Sequence, residues 1–258
     1  MRRFSGTVRM KAYIRLVLIL MWVFVTFTYR AVGLLISPMS KRADHFFRRT
    51  AFRACAKGVL AITGIRFTVE GPRPQAPFFL VSNHVSFFDV FIIASELGCV
   101  FVSKAELGKW PIFGFIARNM NTILIDRKGF RDTHRVNSEI TEVMNDGLGV
   151  VVFAEGTVSQ TGELMPFKPA LLQPAIELQM PVRYASIHYA TPHRRDAARE
   201  AILWKEGVSF VRHFLNIAAL PYCEATLTFG EGAVEADDRK QLASDLHQAV
   251  KSQHKVTG

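Results

Sequence analysis

The chain has 258 residues, 49% of them hydrophobic, which is enough for one sizeable core: a single α/β domain with an N-terminal addition. The net charge of +10 is confined to residues 1–60, where twelve Lys or Arg stand against Asp44 alone; the rest holds twenty basic and twenty-one acidic residues. This excludes a uniformly basic surface. The three cysteines, Cys55, Cys99 and Cys223, are scattered and form no CxxC pair, which excludes a disulfide framework and a cysteine zinc site and suits a reducing compartment.

The basic segment encloses apolar sequence. Leu16 to Tyr29 is an uncharged run, and after Arg30 it resumes over 31–37. Nucleic-acid arms are polar, so the implied partner is membrane lipid and not nucleic acid. No A-x-A-like site follows, which argues against a cleaved signal peptide. A bilayer span needs about 20 apolar residues, and the unbroken run is shorter. Basic residues flank it on both sides (Arg2, Arg3, Arg9, Lys11 and Arg15 before; Lys41, Arg42, Arg48, Arg49 and Arg53 after), so the positive-inside rule puts both ends on the cytoplasmic side. The expectation is a membrane-associated helix pair over residues 1–62, re-entrant or interfacial, on the cytoplasmic face of the inner membrane. Its second helix is predicted over His45–Ile62. There His45, Arg49, Arg53 and Lys57 form one polar stripe, suited to a membrane surface or to a solvated edge of a helix packed on the domain.

Residues 63–251 read as the α/β domain. After the Gly71–Pro74 turn, strands are predicted at Arg66–Glu70 (preceding that turn), Phe78–Ser82, Cys99–Ser103, Thr122–Asp126, Val150–Ala154, Val182–His188 and Ala225–Phe229. Helices are predicted at Ser86–Leu97, Gly129–Asn145, Ala170–Leu178 and Arg199–Leu220. No element is predicted beyond Phe229, and residues 252–258 are expected to be disordered. The alternation implies a mostly parallel central sheet flanked by helices. Ligands bind beyond the carboxyl ends of such strands, and His84, Lys104, Arg127 and Glu155 all stand at or just past a strand end.

The run Val81-Ser82-Asn83-His84-Val85-Ser86-Phe87-Phe88-Asp89 carries the strongest chemical signal. An imidazole takes a proton near neutral pH, and a carboxylate five residues on can hold its tautomer and stabilise its charged form. Read alone, the window has an equally good account as a helix start, since Asn83 and Ser86 are N-cap residues and Ser86-x-x-Asp89 is a capping-box pattern. Further signals are weak singly: Ile125-Asp126-Arg127 at a strand end, a strand running into Glu155-Gly156-Thr157, Pro166-Phe167-Lys168, and Pro181 ahead of a strand. Phosphate-loop, dinucleotide and Gly-x-Ser-x-Gly motifs are absent.

In order, these segments resemble the four blocks of the lysophosphatidate acyltransferase family. Asn83, His84, Ser86 and Asp89 match the first block, Asp126 and Arg127 the second, Phe153, Glu155, Gly156, Thr157 and Ser159 the third, and Pro181 the fourth. Lys104 and the Pro111-x-Phe113-Gly114 stretch also match. Ala154 and Val158 depart from the family's Pro and Arg. The Phe-Ala-Glu-Gly-Thr form, with Pro166-Phe167-Lys168 and Trp204-x-x-Gly207-x-x-Phe210-x-x-His213, is similar to the lyso-ornithine lipid acyltransferase branch.

The resemblance implies acyl transfer from acyl-CoA or acyl carrier protein, as cosubstrate, to a lysolipid hydroxyl. The acceptor is 1-acylglycerol 3-phosphate, giving phosphatidate, or alternatively lyso-ornithine lipid. His84 is implied as general base and Asp89 as its orienting partner. Asn83, Ser86, Lys104, Arg127, Glu155, Gly156, Thr157 and Lys168 are implied as substrate-binding residues. Backbone N–H groups at the helix start are expected to stabilise the oxyanion. No bound cofactor and no metal are implied. A reading from a different class is a non-catalytic, membrane-docked lipid-binding module.

Overall fold

A computed structural model of the chain describes residues 6–36, 40–126, 130–190 and 200–257. Two long N-terminal helices, α1 (Gly6–Ile36) and α2 (Lys41–Thr63), lead into a sheet built from β1 (Ile65–Glu70), β2 (Phe79–Ser82), β3 (Val100–Lys104), β4 (Ile123–Ile125), β5 (Val150–Phe153), β6 (Val182–Ala190) and β7 (Cys223–Phe229). The strand order is β1-β7-β6-β2-β5-β3-β4, and every neighbouring pair is parallel except β6 with β7. The helices α3 (Phe88–Leu97), α4 (Pro111–Asn119), α5 (Phe130–Asn145), α6 (Gln173–Glu177), α7 (Phe210–Ala218) and α8 (Arg239–Gln253) complete the described elements.

Central strands alternate between two cores, as the pleat requires. Leu80 and Val151 face a core shared with α1, α2, α3 and α7. Phe79, Val81, Val150 and Val152 face a second core closed by α5, α6 and α8. Ser82 of β2 lies opposite both Phe153 of β5 and Ala185 of β6, so the residues that follow β2 and β5 emerge side by side at one rim.

α1 runs for 31 residues, about 46 Å at the helical rise. Its segment Met10–Leu35 is long and apolar enough to cross a bilayer by length and composition. Arg30 does not interrupt it, because its side chain, 2% exposed, turns inward onto Asp44 at 2.6 Å; Arg48 joins the same carboxylate at 2.6 Å. The Trp22 indole N–H donates to the Ala54 carbonyl (3.0 Å) over Gly58, where a side chain would collide with the indole. Arg15 donates to the carbonyls of Ala218 and Leu220, both at 2.8 Å, and so satisfies orphan acceptors at the end of α7.

α2 starts four residues earlier than His45 because the Ser40 hydroxyl caps the Ala43 N–H. Its basic stripe is divided. Arg53 donates to the Ser95 carbonyl in the last turn of α3 (3.2 Å), and the stems of Arg49 and Arg53 flank Gly98, which ends that helix. These arginines dock α2 on the domain at a helix end that favours positive charge.

Three other expectations are corrected. The helix expected over Arg199–Leu220 is broken: Gly207 turns at φ +76°, and α7 begins afresh after the Ser209 cap. The segment after Phe229 carries α8, capped by Asp238 and buried through Leu242, Ala243, Leu246 and Val250. Within residues 252–257, Ser252, Lys255 and Val256 are exposed, but His254 and Thr257 are held on the domain. His254 Nε2 pairs with the Gly162 carbonyl at 3.2 Å, and Thr257 is 1% exposed and accepts from the Tyr189 N–H at 3.4 Å.

Candidate active site

β2 ends at Ser82, and Asn83 through Phe87 form the passage into α3. Asp89 lies in the first turn of α3 and reaches back along that passage. Its Oδ2 accepts from His84 Nδ1 (2.8 Å), the Val85 N–H (2.7 Å) and the Ser86 N–H (2.9 Å). Its Oδ1 accepts from the Tyr189 hydroxyl at 2.6 Å. The Asp89 side chain is fully buried, whereas that of His84 is 16% exposed. His84 Nε2 makes no hydrogen bond among the described residues. The imidazole lies flat on Phe153 at the end of β5, with ring centroids 4.0 Å apart and planes 13° apart. The ring is therefore held on one edge by a carboxylate and on one face by an aromatic, with its second nitrogen open.

The His84 backbone is held by the loop that follows β5. Its N–H donates to Glu155 Oε1 (3.3 Å), and its carbonyl accepts from the Ser159 N–H (2.7 Å). Burial pushes the Glu155 carboxyl up to about 9, with the nearby Asp89 charge adding to the rise. The acid is neutral at pH 7, and its Oε2 is buried with no hydrogen-bond partner among the described residues. Gly156 turns at φ +75°, and Lys168 lies across it: a Cβ there would stand 3.0 Å from Lys168 Cδ and 3.1 Å from Nζ. Thr157 and Lys168 are exposed at this rim, and Lys104 is exposed at the end of β3.

On the other side of the passage, Phe87 meets Phe210 at 4.6 Å, and Phe210 meets Trp110 at 5.6 Å and Trp204 at 6.1 Å. Trp204 stacks on His213, whose Nε2 is 3.4 Å from the Ser86 hydroxyl. Burial pushes the His213 imidazole down to about 4, so it is neutral at pH 7.

The acyltransferase family model matches residues 65–187, the span that holds His84, Asp89, Phe153 and Glu155. A 1-acyl-sn-glycerol-3-phosphate acyltransferase from Neisseria gonorrhoeae is 30% identical over 215 residues, 80% of this chain and 81% of that protein. The chain belongs to the lysophosphatidate acyltransferase family. A lyso-ornithine lipid O-acyltransferase from Rhizobium meliloti is 31% identical over 210 residues, 74% of this chain and 70% of that protein. The fold matches the crystal structure of the 1-acyl-sn-glycerophosphate acyltransferase from Thermotoga maritima with a TM-score of 0.62 at 19% identity, over 94% of this chain and 96% of that one.

In this acyltransferase the residues of the first block take distinct positions. His84 and Asp89 touch. Asn83 is buried and spends its carboxamide on β6, accepting from the Ile187 N–H (2.7 Å) and donating to the Ile187 carbonyl (2.9 Å). Ser86 is buried, and its hydroxyl faces His213 and the Phe88 N–H. Both were expected to bind substrate; their positions make them supports of the passage. Glu155 likewise stands behind His84, while Gly156, Thr157, Lys168 and Lys104 remain at the rim. Arg127 lies outside the described residues.

The helix-start amides are also committed within the passage. The Val85 and Ser86 N–H groups go to Asp89, the Phe88 N–H to the Ser86 hydroxyl, and the Asp89 N–H to the Ser86 carbonyl. The first two of these hold the Asp89 carboxylate in place. Tyr189 carried no sequence signal. It sits one residue beyond the predicted end of its strand, and only the overhang of β6 past β2 brings it to Asp89.

Proposed function

We propose that this acyltransferase moves a fatty acyl group from a thioester, acyl-CoA or acyl carrier protein, to the free hydroxyl of 1-acylglycerol 3-phosphate at a membrane surface, giving phosphatidate. The observation that carries the mechanism is the 2.8 Å contact of His84 Nδ1 with a fully buried Asp89 while Nε2 stays open. Nε2 takes the acceptor hydroxyl proton as that oxygen attacks the thioester carbonyl. The tetrahedral intermediate then expels the thiolate, which takes the proton from the imidazolium. Asp89 fixes the tautomer and stabilises the charged ring, as in other base–carboxylate pairs. Lys104 and Lys168 supply positive charge at the rim for an anionic head group, and Thr157 supplies a hydroxyl beside them.

The membrane reading is supported by exposed apolar side chains. Tyr13, Val17, Met21, Phe24, Val32 and Leu35 of α1 face solvent, and so do Phe115 of α4 and Val211 of α7. Phe27 of α1 packs on Phe115 at 5.0 Å, so these surfaces adjoin. α7 also carries Phe210, which borders the His84 passage through Phe87. A surface of this kind on the cytoplasmic face delivers a lipid acceptor to the rim without its leaving the interface.

A second reading has its own support. Val158 stands where the family carries an arginine, which removes one cation from the acceptor site and favours lyso-ornithine lipid. The deciding experiment gives the purified protein both lysolipids with acyl-CoA and acyl carrier protein donors, and detects products by mass spectrometry. Phosphatidate formation is expected, with His84→Ala lowering kcat by about 10²–10⁴-fold. Transfer to lyso-ornithine lipid alone selects the second reading. Acylation of neither lipid, or turnover that survives His84→Ala, overturns both.

A further inference from the structure

The two oxygens of Asp89 are used unequally. Oδ2 serves His84 and two backbone amides, and Oδ1 is met by the Tyr189 hydroxyl at 2.6 Å. Tyr189 is 1% exposed and comes from β6, at the far side of the passage in sequence. Its own strand position is backed by the C-terminal tail, since the Tyr189 N–H donates to Thr257 Oγ1. The hydroxyl therefore reaches Asp89 from a rigid element that shares no segment with His84.

We propose that Tyr189 is a positioning residue for acyl transfer: by holding Oδ1 it keeps Oδ2 aimed at His84 Nδ1 and sets the pH at which His84 works as a base. This rests on the reading of His84 as the general base. A carboxylate free to rotate about its Cβ–Cγ bond would meet Nδ1 in only part of its orientations, and a second anchor on the opposite oxygen removes that freedom. A donor to the ionised carboxylate also lowers the tendency of the pair to take up a proton. Burial and the neighbouring Asp89 charge raise the Tyr189 phenol well above its ordinary range, so it remains a donor throughout the working range. The other titratable groups facing the pair are Glu155 from the loop after β5, His213 from α7 and Cys223 from β7. Glu155, pushed up to about 9, and His213, pushed down to about 4, do not change charge near neutral pH, and burial pushes the Cys223 thiol up to about 12.

The test uses the full chain in phospholipid–detergent micelles with lysolipid and acyl-CoA. In Tyr189→Phe, kcat is expected to fall about 10–100-fold, the worth of one hydrogen bond to a charged group, with KM within about twofold of the parent. The acid limb of kcat/KM is expected to move up by about 0.5–1 pH unit, because the carboxylate has lost a donor and the pair takes its proton more readily. In an Asp89→Asn background the same substitution should cost less than about threefold, since the two groups act as a unit. A parental kcat and pH profile for Tyr189→Phe, or the same loss in both backgrounds, overturns the assignment.

His84→Ala distinguishes the two failures. Turnover that survives it overturns the base and the role of Tyr189 with it. A dead His84→Ala beside a parental Tyr189→Phe overturns Tyr189 alone. Site-specific 3-fluorotyrosine at position 189 keeps the ring and strengthens the donor, so the acid limb should move down even if Tyr189→Phe folds poorly. An unmoved limb there overturns the proposal.

Discussion

Asn83 hydrogen-bonds both backbone groups of Ile187, accepting from its N–H at 2.7 Å and donating to its carbonyl at 2.9 Å. This ties the end of β2 to β6 just where the chain turns toward His84. Removing the carboxamide leaves two buried backbone groups unpaired. Asn83→Ala is therefore expected to lower stability by about 1–3 kcal/mol per orphaned group, read by thermal or denaturant unfolding. The KM for the lysolipid should stay at the parental value. A large rise in that KM with parental stability would instead make Asn83 a substrate contact.

The neutral Glu155 gives a pH signature of known sign. Its folded value of about 9 lies above the ordinary 4.5, so the folded state keeps a proton that the unfolded state gives up. That stability is fully present below about pH 4.5 and is lost as pH rises through about 9. Glu155→Gln preserves the acceptor for the His84 N–H and removes the titration. Its Tm should equal that of the parent near pH 5 and exceed it increasingly as the pH rises toward 9. Parallel curves across that range would mean that the carboxyl is ionised in the folded protein.

His213 acts at the other end of the scale. Its folded value of about 4 lies below the ordinary 6.5, so the unfolded state binds the proton first. Its contribution to stability is lost as pH falls from about 6.5 toward 4. His213→Gln should show a smaller fall in Tm between pH 7 and pH 4 than the parent does. An equal fall would assign the acid sensitivity to other groups.

Phe24 and Leu35 are largely exposed on α1, at 74% and 79%. Phe24→Asp and Leu35→Asp should therefore leave Tm unchanged. Each removes about 1.5–3 kcal/mol of apolar transfer to lipid, so recovery in floated liposomes should drop by about 10–100-fold. Parental flotation of the double variant would remove α1 as the docking surface.

Much of the domain is legible in the sequence because its signals are local. Phe79–Ser82 and Val150–Phe153 are short apolar runs that end in turn-forming residues, and Val136, Ile140, Val143 and Met144 repeat at helical spacing on α5. The misses have physical causes. Gly207 breaks a periodic apolar stretch because a left-handed turn there lets Trp204 fold back on His213. α8 hides because a polar, weakly periodic segment becomes helical mainly through Leu242, Leu246 and Val250 packing on the sheet. The basic stripe of α2 has the same spacing whether it meets lipid head groups or the carbonyl end of α3, and for Arg53 it is the latter.

The sequence by itself determined that a histidine and an acid stand five residues apart at a strand end, among the ordered motifs of one enzyme family, behind a basic and apolar leader. It did so because those features are written in neighbouring residues. Only the tertiary structure decided that Asn83, Ser86 and Glu155 face inward as supports, that the Val85 and Ser86 amides are taken by Asp89, and that Tyr189 reaches Asp89 from one hundred residues away. Such assignments depend on which strands adjoin in the sheet and how far β6 overhangs β2, and no spacing along the chain encodes that.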